Sequence, residues 1–207
     1  MFDSIKRLLG GRADLTKRDR KVVTAWATEQ GLVLKHAKDG RHGEGLVIES
    51  PNAWRMEWGK SQRTYIPGQE IRFRADTGIQ PDAQVLFISK VIAHGFETAV
   101  FSRFTHAMQT QVDNTLPEEM RWLAMHGKVT LSDASELSRR FVLLSNVENW
   151  VPNWLSQQAV NSLNEATKTW WTDQLMAGLT LNRGGLTFRT LGAELHPTQL
   201  NQVRDMR

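Results

Sequence analysis

The stretch Leu179-Thr180-Leu181-Asn182-Arg183-Gly184-Gly185-Leu186-Thr187-Phe188 decides the fold class. Apolar residues alternate with polar ones on both sides of an Asn-Arg-Gly-Gly turn, and this pattern predicts a β-hairpin. A second hairpin is predicted around Asp39-Gly40, and alternating strands are predicted over 54–58 and 71–75. Because hairpins outnumber strand-helix-strand units, we expect an α+β fold, with a mainly antiparallel sheet and flanking helices in a single compact domain.

Apolar residues at helical spacing predict the helices around this sheet. Val22, Val23, Trp26 and Ala27 form one stripe, which begins near a Thr16/Asp19 capping box and ends at Gly31. Further helices are predicted near 96–107, 117–126, 156–170 and from Pro197 onward. The apolar run from Val85 to Ile92 predicts a central strand that is buried on both faces.

The positive charge is concentrated at the N-terminus. Residues 1–24 carry seven basic and three acidic side chains, whereas the remaining 183 residues carry 19 of each. We therefore expect a basic amphipathic arm over residues 1–12, followed by the α+β domain over 13–207. A neutral body offers no continuous track for a phosphate backbone, so a nucleic-acid partner is not expected.

The arm combines apolar and basic side chains, and Gly10-Gly11 is expected to end its short helix. Its candidate anchor residues are Phe2, Ile5, Lys6, Arg7, Leu8 and Leu9. Such a segment can dock reversibly on an anionic membrane surface or on a protein partner. The alternative is that its apolar residues fold back to cover the domain's own core.

Three arginines define a candidate anion site on the sheet. Because side chains alternate between the two faces of a strand, Arg55 projects from the face that Trp54 does not occupy. Arg72 and Arg74 likewise project from the face that Ile71 and Phe73 do not occupy. If the two strands pair, the guanidinium groups share one face that suits carboxylate or phosphate binding. The alternative is a solvated face on which Glu57, Glu70 and Asp76 neutralise the arginines.

The sequence holds no motif for a catalytic or metal site. It has no cysteine, its six histidines include no pair two, three or four residues apart, and no phosphate-binding loop or nucleophile elbow is present. We therefore expect no metal and no cofactor. Most of the eight tryptophans occupy positions typical of a core, with adjacent Trp170 and Trp171 as the exception.

Several segments together resemble a loose group of uncharacterised bacterial α+β domains. They are residues 25–32, residues 141–146 before a helix, and the hairpin 181–188 before the last helix. The resemblance implies the α+β layout and a bacterial origin, and no activity.

The resulting functional prediction is a non-catalytic interaction or scaffold domain. Its partner would be a protein or an anionic membrane surface contacted through the N-terminal arm. Two alternatives stay open: a hydrolase or transferase whose site is assembled by the fold, and a domain that binds a small ligand or anion on the basic sheet face. With no secretory signal and no membrane-spanning run, we expect a cytoplasmic or peripheral membrane location.

Overall fold

The computed structural model describes residues 2–39, 43–77, 82–107, 116–130, 135–147, 149, 151 and 157–205. It confirms the α+β class, with antiparallel strand pairing and helices beside the strands. The chain forms two compact units. Unit 1 comprises Met1–Ala75 with Thr190–Arg207, and unit 2 comprises Asp76–Arg189.

The described residues of unit 1 form a four-stranded antiparallel meander and two helices. Its elements are α1 (Phe2–Glu29), β1 (Val33–Asp39), β2 (Gly43–Ser50), β3 (Trp54–Lys60), β4 (Gln69–Ala75) and the terminal helix α6 (Pro197–Arg204). The strands follow the order β1-β2-β3-β4, each hydrogen-bonded to the next. The predicted hairpin between β1 and β2 is confirmed, and β3 and β4, whose pairing the sequence left open, are paired.

Helix α1 corrects two predictions at the N-terminus. It is continuous from Phe2 to Glu29, so the predicted end of a separate helix at Gly10-Gly11 is wrong. A glycine costs a helix about 1 kcal/mol but, unlike proline, leaves the hydrogen-bond ladder intact. Thr16 lies inside the helix and therefore does not cap its start. The carboxylate of Asp19 instead accepts the backbone N–H groups of Glu194 (3.0 Å) and Leu195 (2.9 Å).

The core of unit 1 lies between one sheet face and the two helices. The register places Leu46 opposite Trp58, and Trp58 opposite Ile71, and all three are buried. On α1, Trp26 is also buried, and its Nε1 donates to Oδ1 of Asn201 on α6 at 2.9 Å. The predicted core positions of Trp26, Trp54 and Trp58 are confirmed.

Unit 2 contains the remaining strands and four described helices. Its elements are β5 (Val85–Ser89), α2 (Lys90–Ala107), α3 (Glu118–Met125), β6 (Gly127–Lys128), α4 (Ser135–Arg140), β7 (Phe141–Ser145), α5 (Gln157–Thr167), β8 (Ala177–Asn182) and β9 (Gly185–Leu191), whose last two residues belong to unit 1. The strand order is β9-β8-β5-β7-β6. All five side chains of β5 are buried, as predicted for a central strand, but the strand ends at Ser89 because α2 begins at Lys90.

An aromatic cluster fills the core of unit 2. The rings of Phe87 and Phe141 stack with centroids 4.5 Å apart, and Trp171 lies 5.0 Å from Phe141 and 5.9 Å from Phe188. Trp171 is 1% exposed, whereas its neighbour Trp170 is half-buried. The two tryptophans therefore differ in burial, as expected for adjacent residues that cannot both face one core.

Candidate functional site

The sheet of unit 1 has one apolar face against the core and one face that is mostly polar. On this polar face the strand register aligns side chains in rows that run across the strands. One row consists of Val33, Glu49, Arg55 and Arg74, and the next of Lys35, Val47, Glu57 and Arg72. The three predicted anion-site residues, Arg55, Arg72 and Arg74, therefore lie together on the polar face, as the alternation indicated.

Glu57 is the centre of an ion-pair network on this face. Its Oε1 lies 2.8 Å from Nε of Arg55, and its Oε2 accepts from Nη2 of Arg72. Glu57 and Arg72 are both buried, so water screens their attraction only weakly. Arg72 therefore serves as an internal counter-ion, and most of its donor capacity is taken up within the protein.

The β3–β4 loop completes this network. Arg72 Nη1 donates to Oε1 of Gln62 and to Oε1 of Glu70, the latter at 3.2 Å. The hydroxyl of Ser61 lies 3.0 Å from the other carboxylate oxygen of Glu70, which is 3% exposed. Glu57 and Glu70 thus neutralise Arg72, as the alternative interpretation expected, but these three side chains are buried and do not form the solvated face of that interpretation.

Arg74 differs from the other two arginines. Partial burial and the neighbouring guanidinium groups of Arg55 and Arg63 lower the pKa of Arg74, while Glu70 opposes them. Among the side chains that the structure describes, none forms an ion pair with Arg74. Arg74 is therefore an exposed cation that faces other cations, and an added anion would relieve their mutual repulsion.

A shallow cavity opens beside the ion-pair network. Ala37 on β1 and Gly45 on β2 are register partners, and a Cβ on Gly59 of β3 would lie 3.2 Å from the Gly45 Cα. We call these three small residues the glycine floor. Since no side chain larger than a methyl group rises from it, the backbone of β2 and β3 is accessible. The cavity has a volume of about 360 Å³ and extends from the glycine floor to Arg55 and Arg74.

A fixed negative charge flanks the arginines on the β2 side. Glu49 is opposite Arg55 in the register and forms a 2.6 Å ion pair with Lys35. The hydrogen bond from Lys35, with the positive charges of Lys35 and Arg55, lowers the pKa of Glu49 despite an opposing desolvation effect. The polar face therefore alternates in sign, and Arg74 marks its cationic end.

The predicted anchor residues Phe2, Ile5, Lys6, Arg7, Leu8 and Leu9 are on helix α1. Their side chains lie outside the part of the chain that the structure describes. No described helix combines the length and apolar character needed to cross a bilayer. Within the described ranges, no three histidine or acidic side chains are arranged to hold a metal ion.

Comparison of the chain with protein-family models, curated proteins and solved structures finds no match. The candidate site therefore rests on its own geometry.

Sequence reasoning brought the three arginines together but missed the residues that shape the cavity around them. Gly45 lies just after the predicted Asp39-Gly40 turn, which assigns it no role in a site, and the strand predicted over 54–58 ends before Gly59. A usable signal was present, because Gly59 is two residues from Glu57 and therefore shares its strand face. Arg63 and Gln62 come from the connecting loop, whose path alternation does not predict.

Proposed function

We propose that this chain is a non-catalytic interaction domain and that unit 1 binds carboxylates of an acidic protein partner on its polar face. The observation that carries the proposal is the position of Arg74, an exposed guanidinium beside two other guanidinium groups and without an ion-pair partner among the described residues. A guanidinium can bind a carboxylate through two parallel hydrogen bonds.

The surrounding charges favour a carboxylate over a phosphate. Glu57 accepts from Arg55, and Glu49 is opposite Arg55 across the β2–β3 pair. Attraction to the guanidinium groups and repulsion from these carboxylates both grow in proportion to the ligand's charge, whereas the cost of desolvating the ligand grows faster, so a phosphate dianion gains less than a carboxylate on this mixed surface. The ligand that fits best is therefore an aspartate or glutamate side chain or a chain terminus.

The role of the ion-pair network supports binding over proton transfer. Both oxygens of Glu57 are engaged by arginines, and both oxygens of Glu70 are engaged by Arg72 and Ser61. Groups held in this way fix the geometry of a surface and are not positioned to exchange protons with a ligand. The interaction would be with a protein in the cytoplasm, and the bacterial origin implied by the sequence resemblance belongs to the same proposal.

Titration with sodium acetate, followed by NMR of backbone amides and arginine side chains, tests this function. We expect saturable shifts centred on Arg55 and Arg74, with weaker shifts for phosphate at equal ionic strength. Arg74→Met should remove them, whereas Arg183→Met, which removes an exposed arginine from the β8–β9 turn, should leave them unchanged. Shifts that survive Arg74→Met would refute the proposal.

A further inference from the structure

The cavity extends well beyond the guanidinium groups that would hold a carboxylate. Arg55 and Gly59 are on the same face of β3, four residues apart, which corresponds to about 13 Å along a strand. The cavity of about 360 Å³ is lined at one end by Arg55 and Arg74 and at the other by the glycine floor. A lone carboxylate at Arg74 would leave the glycine end uncovered.

From this geometry we infer that the ligand is an extended acidic peptide segment of a partner protein, with a large aromatic side chain four residues from its acidic residue. This inference rests on the proposed function and specifies its ligand. In an extended peptide, residues i and i+4 project from the same side and are about 13 Å apart. When the acidic side chain reaches Arg74, the side chain at i+4 therefore lies over the glycine floor.

The glycine floor suits an aromatic ring. Gly45 and Gly59 line the cavity with backbone alone, and their two strands approach closely there, because a Cβ on Gly45 would lie 3.0 Å from the Trp58 carbonyl oxygen. A planar side chain can approach such a surface closely and gain dispersion contacts over its whole face. Val47, which is in the row between the arginines and the glycine floor, adds an apolar contact along the path.

The charged side chains at the two ends of the cavity determine the direction in which the peptide binds. Arg74 at the arginine end is an exposed guanidinium without an ion pair among the described residues. At the glycine end, two lining carboxylates, Glu44 and Glu70, outnumber the single lining lysine, Lys60. An acidic side chain placed over the floor would approach the Glu70 carboxylate. The reverse orientation is therefore disfavoured, and the peptide binds in one direction.

Two synthetic peptides test the spacing. They are acetyl-Glu-Gly-Ser-Gly-Trp-amide, which has the inferred spacing, and acetyl-Glu-Trp-Gly-Ser-Gly-amide, in which adjacent side chains point to opposite sides. In NMR titrations of the full chain we expect the first peptide to bind about tenfold more tightly. Equal affinities would overturn the inference, and acetate binding at Arg74 would still support the proposed function.

Substitutions on β1 test the location. Ala37→Leu places a larger side chain on the glycine floor and should abolish the difference between the two peptides without affecting acetate binding. Val33→Leu is the matched control, because Val33 is on the same strand and face, is 56% exposed and does not line the cavity. If Ala37→Leu preserves the tenfold difference, the ring does not lie on the floor. If Arg74→Met leaves peptide binding unchanged, both proposals fail.

Discussion

The backbone N–H of Leu195 donates to Oδ1 of Asp19 at 2.9 Å, a hydrogen bond between residues 176 positions apart in the sequence. The second carboxylate oxygen accepts the N–H of Glu194 at 3.0 Å, and Asp19 is only 1% exposed. The buried carboxylate thus fixes the segment that leads into α6.

Replacement of Asp19 by alanine leaves two backbone N–H groups without acceptors. We expect Asp19→Ala to lower the free energy of unfolding by about 3 kcal/mol, since hydrogen bonds to charged groups are strong and unpaired buried donors are costly. Asp19→Asn retains one acceptor and should cost less. Urea denaturation measures both, with Glu29→Ala on the exposed side of α1 as the control. A neutral Asp19→Ala would show that water replaces the carboxylate.

Gly192 allows a second test of the same region. A Cβ at this position would lie 2.7 Å from the carbonyl carbon of Glu70. The carbonyl oxygen of Gly192 accepts a hydrogen bond from Nε1 of Trp58 at 2.8 Å. Because the obstacle is backbone, Gly192→Ala should destabilise the protein by about 2 to 3 kcal/mol. Gly95→Ala is the matched control: nothing lies within 4 Å of the added methyl group on α2, so a gain of about 0.5 to 1 kcal/mol is expected. Thermal melts that rank the variants in the opposite order would contradict this prediction.

His126 makes the stability of unit 2 depend on pH. Its Nε2 lies 2.8 Å from Oε1 of Gln84, and burial lowers the pKa of His126 below its ordinary value of 6.5, although a backbone hydrogen bond at Met125 opposes the shift. The unfolded chain then binds the proton more tightly than the folded one. This contribution to stability is complete above pH 6.5 and is lost as the pH falls toward the folded-state pKa.

Denaturation should therefore be measured at a series of pH values from 7.5 down to 5.5, a range of about one unit on either side of an ordinary histidine pKa. Over this range we expect the wild type to lose stability more steeply than His126→Gln. NMR titration of the His126 imidazole gives its pKa directly. A value at or above 6.5 would contradict the expected direction of the shift.

The N-terminal part of α1 leads to a prediction about membranes. The anchor hypothesis predicts that the full chain sediments with anionic vesicles at low salt and that a variant without residues 1–11 does so less, because each lysine or arginine near such a surface contributes about 1 kcal/mol. Circular dichroism must show that both proteins are folded. Equal partitioning would favour the alternative in which Phe2, Ile5, Leu8 and Leu9 cover the protein's own core.

Much of unit 1 could be predicted because short-range patterns determine it. Alternation in β3 and β4 fixed which side chains share a face, and the paired strands then placed Arg55 beside Arg74. The sequence could not show that Arg72 is committed to Glu57 and Glu70, since both ion pairs and solvent exposure are compatible with the same alternation. Which arginine stays available for a ligand depends on side-chain geometry.

The contacts of Asp19 could not be predicted for a different reason. Asp19 follows Thr16 at the spacing of a capping box, a local pattern with a local explanation. Its actual partners are near the other end of the chain, and no periodicity connects them. The amino-acid types of Glu194 and Leu195 do not reveal that their backbone groups form long-range hydrogen bonds, because every residue except proline carries the same N–H.

Because unit 1 is assembled from residues 1–75 and 190–207, the order of synthesis determines when it can be completed. The ribosome releases α1 and the β1–β4 strands first, and all of residues 76–189 must follow before the segment that carries Leu195 emerges. During that interval Asp19 has no access to its two backbone donors, and the Trp58 indole lacks its carbonyl acceptor on Gly192. Unit 2, which is contiguous in the sequence, is the first of the two whose entire chain is available to fold.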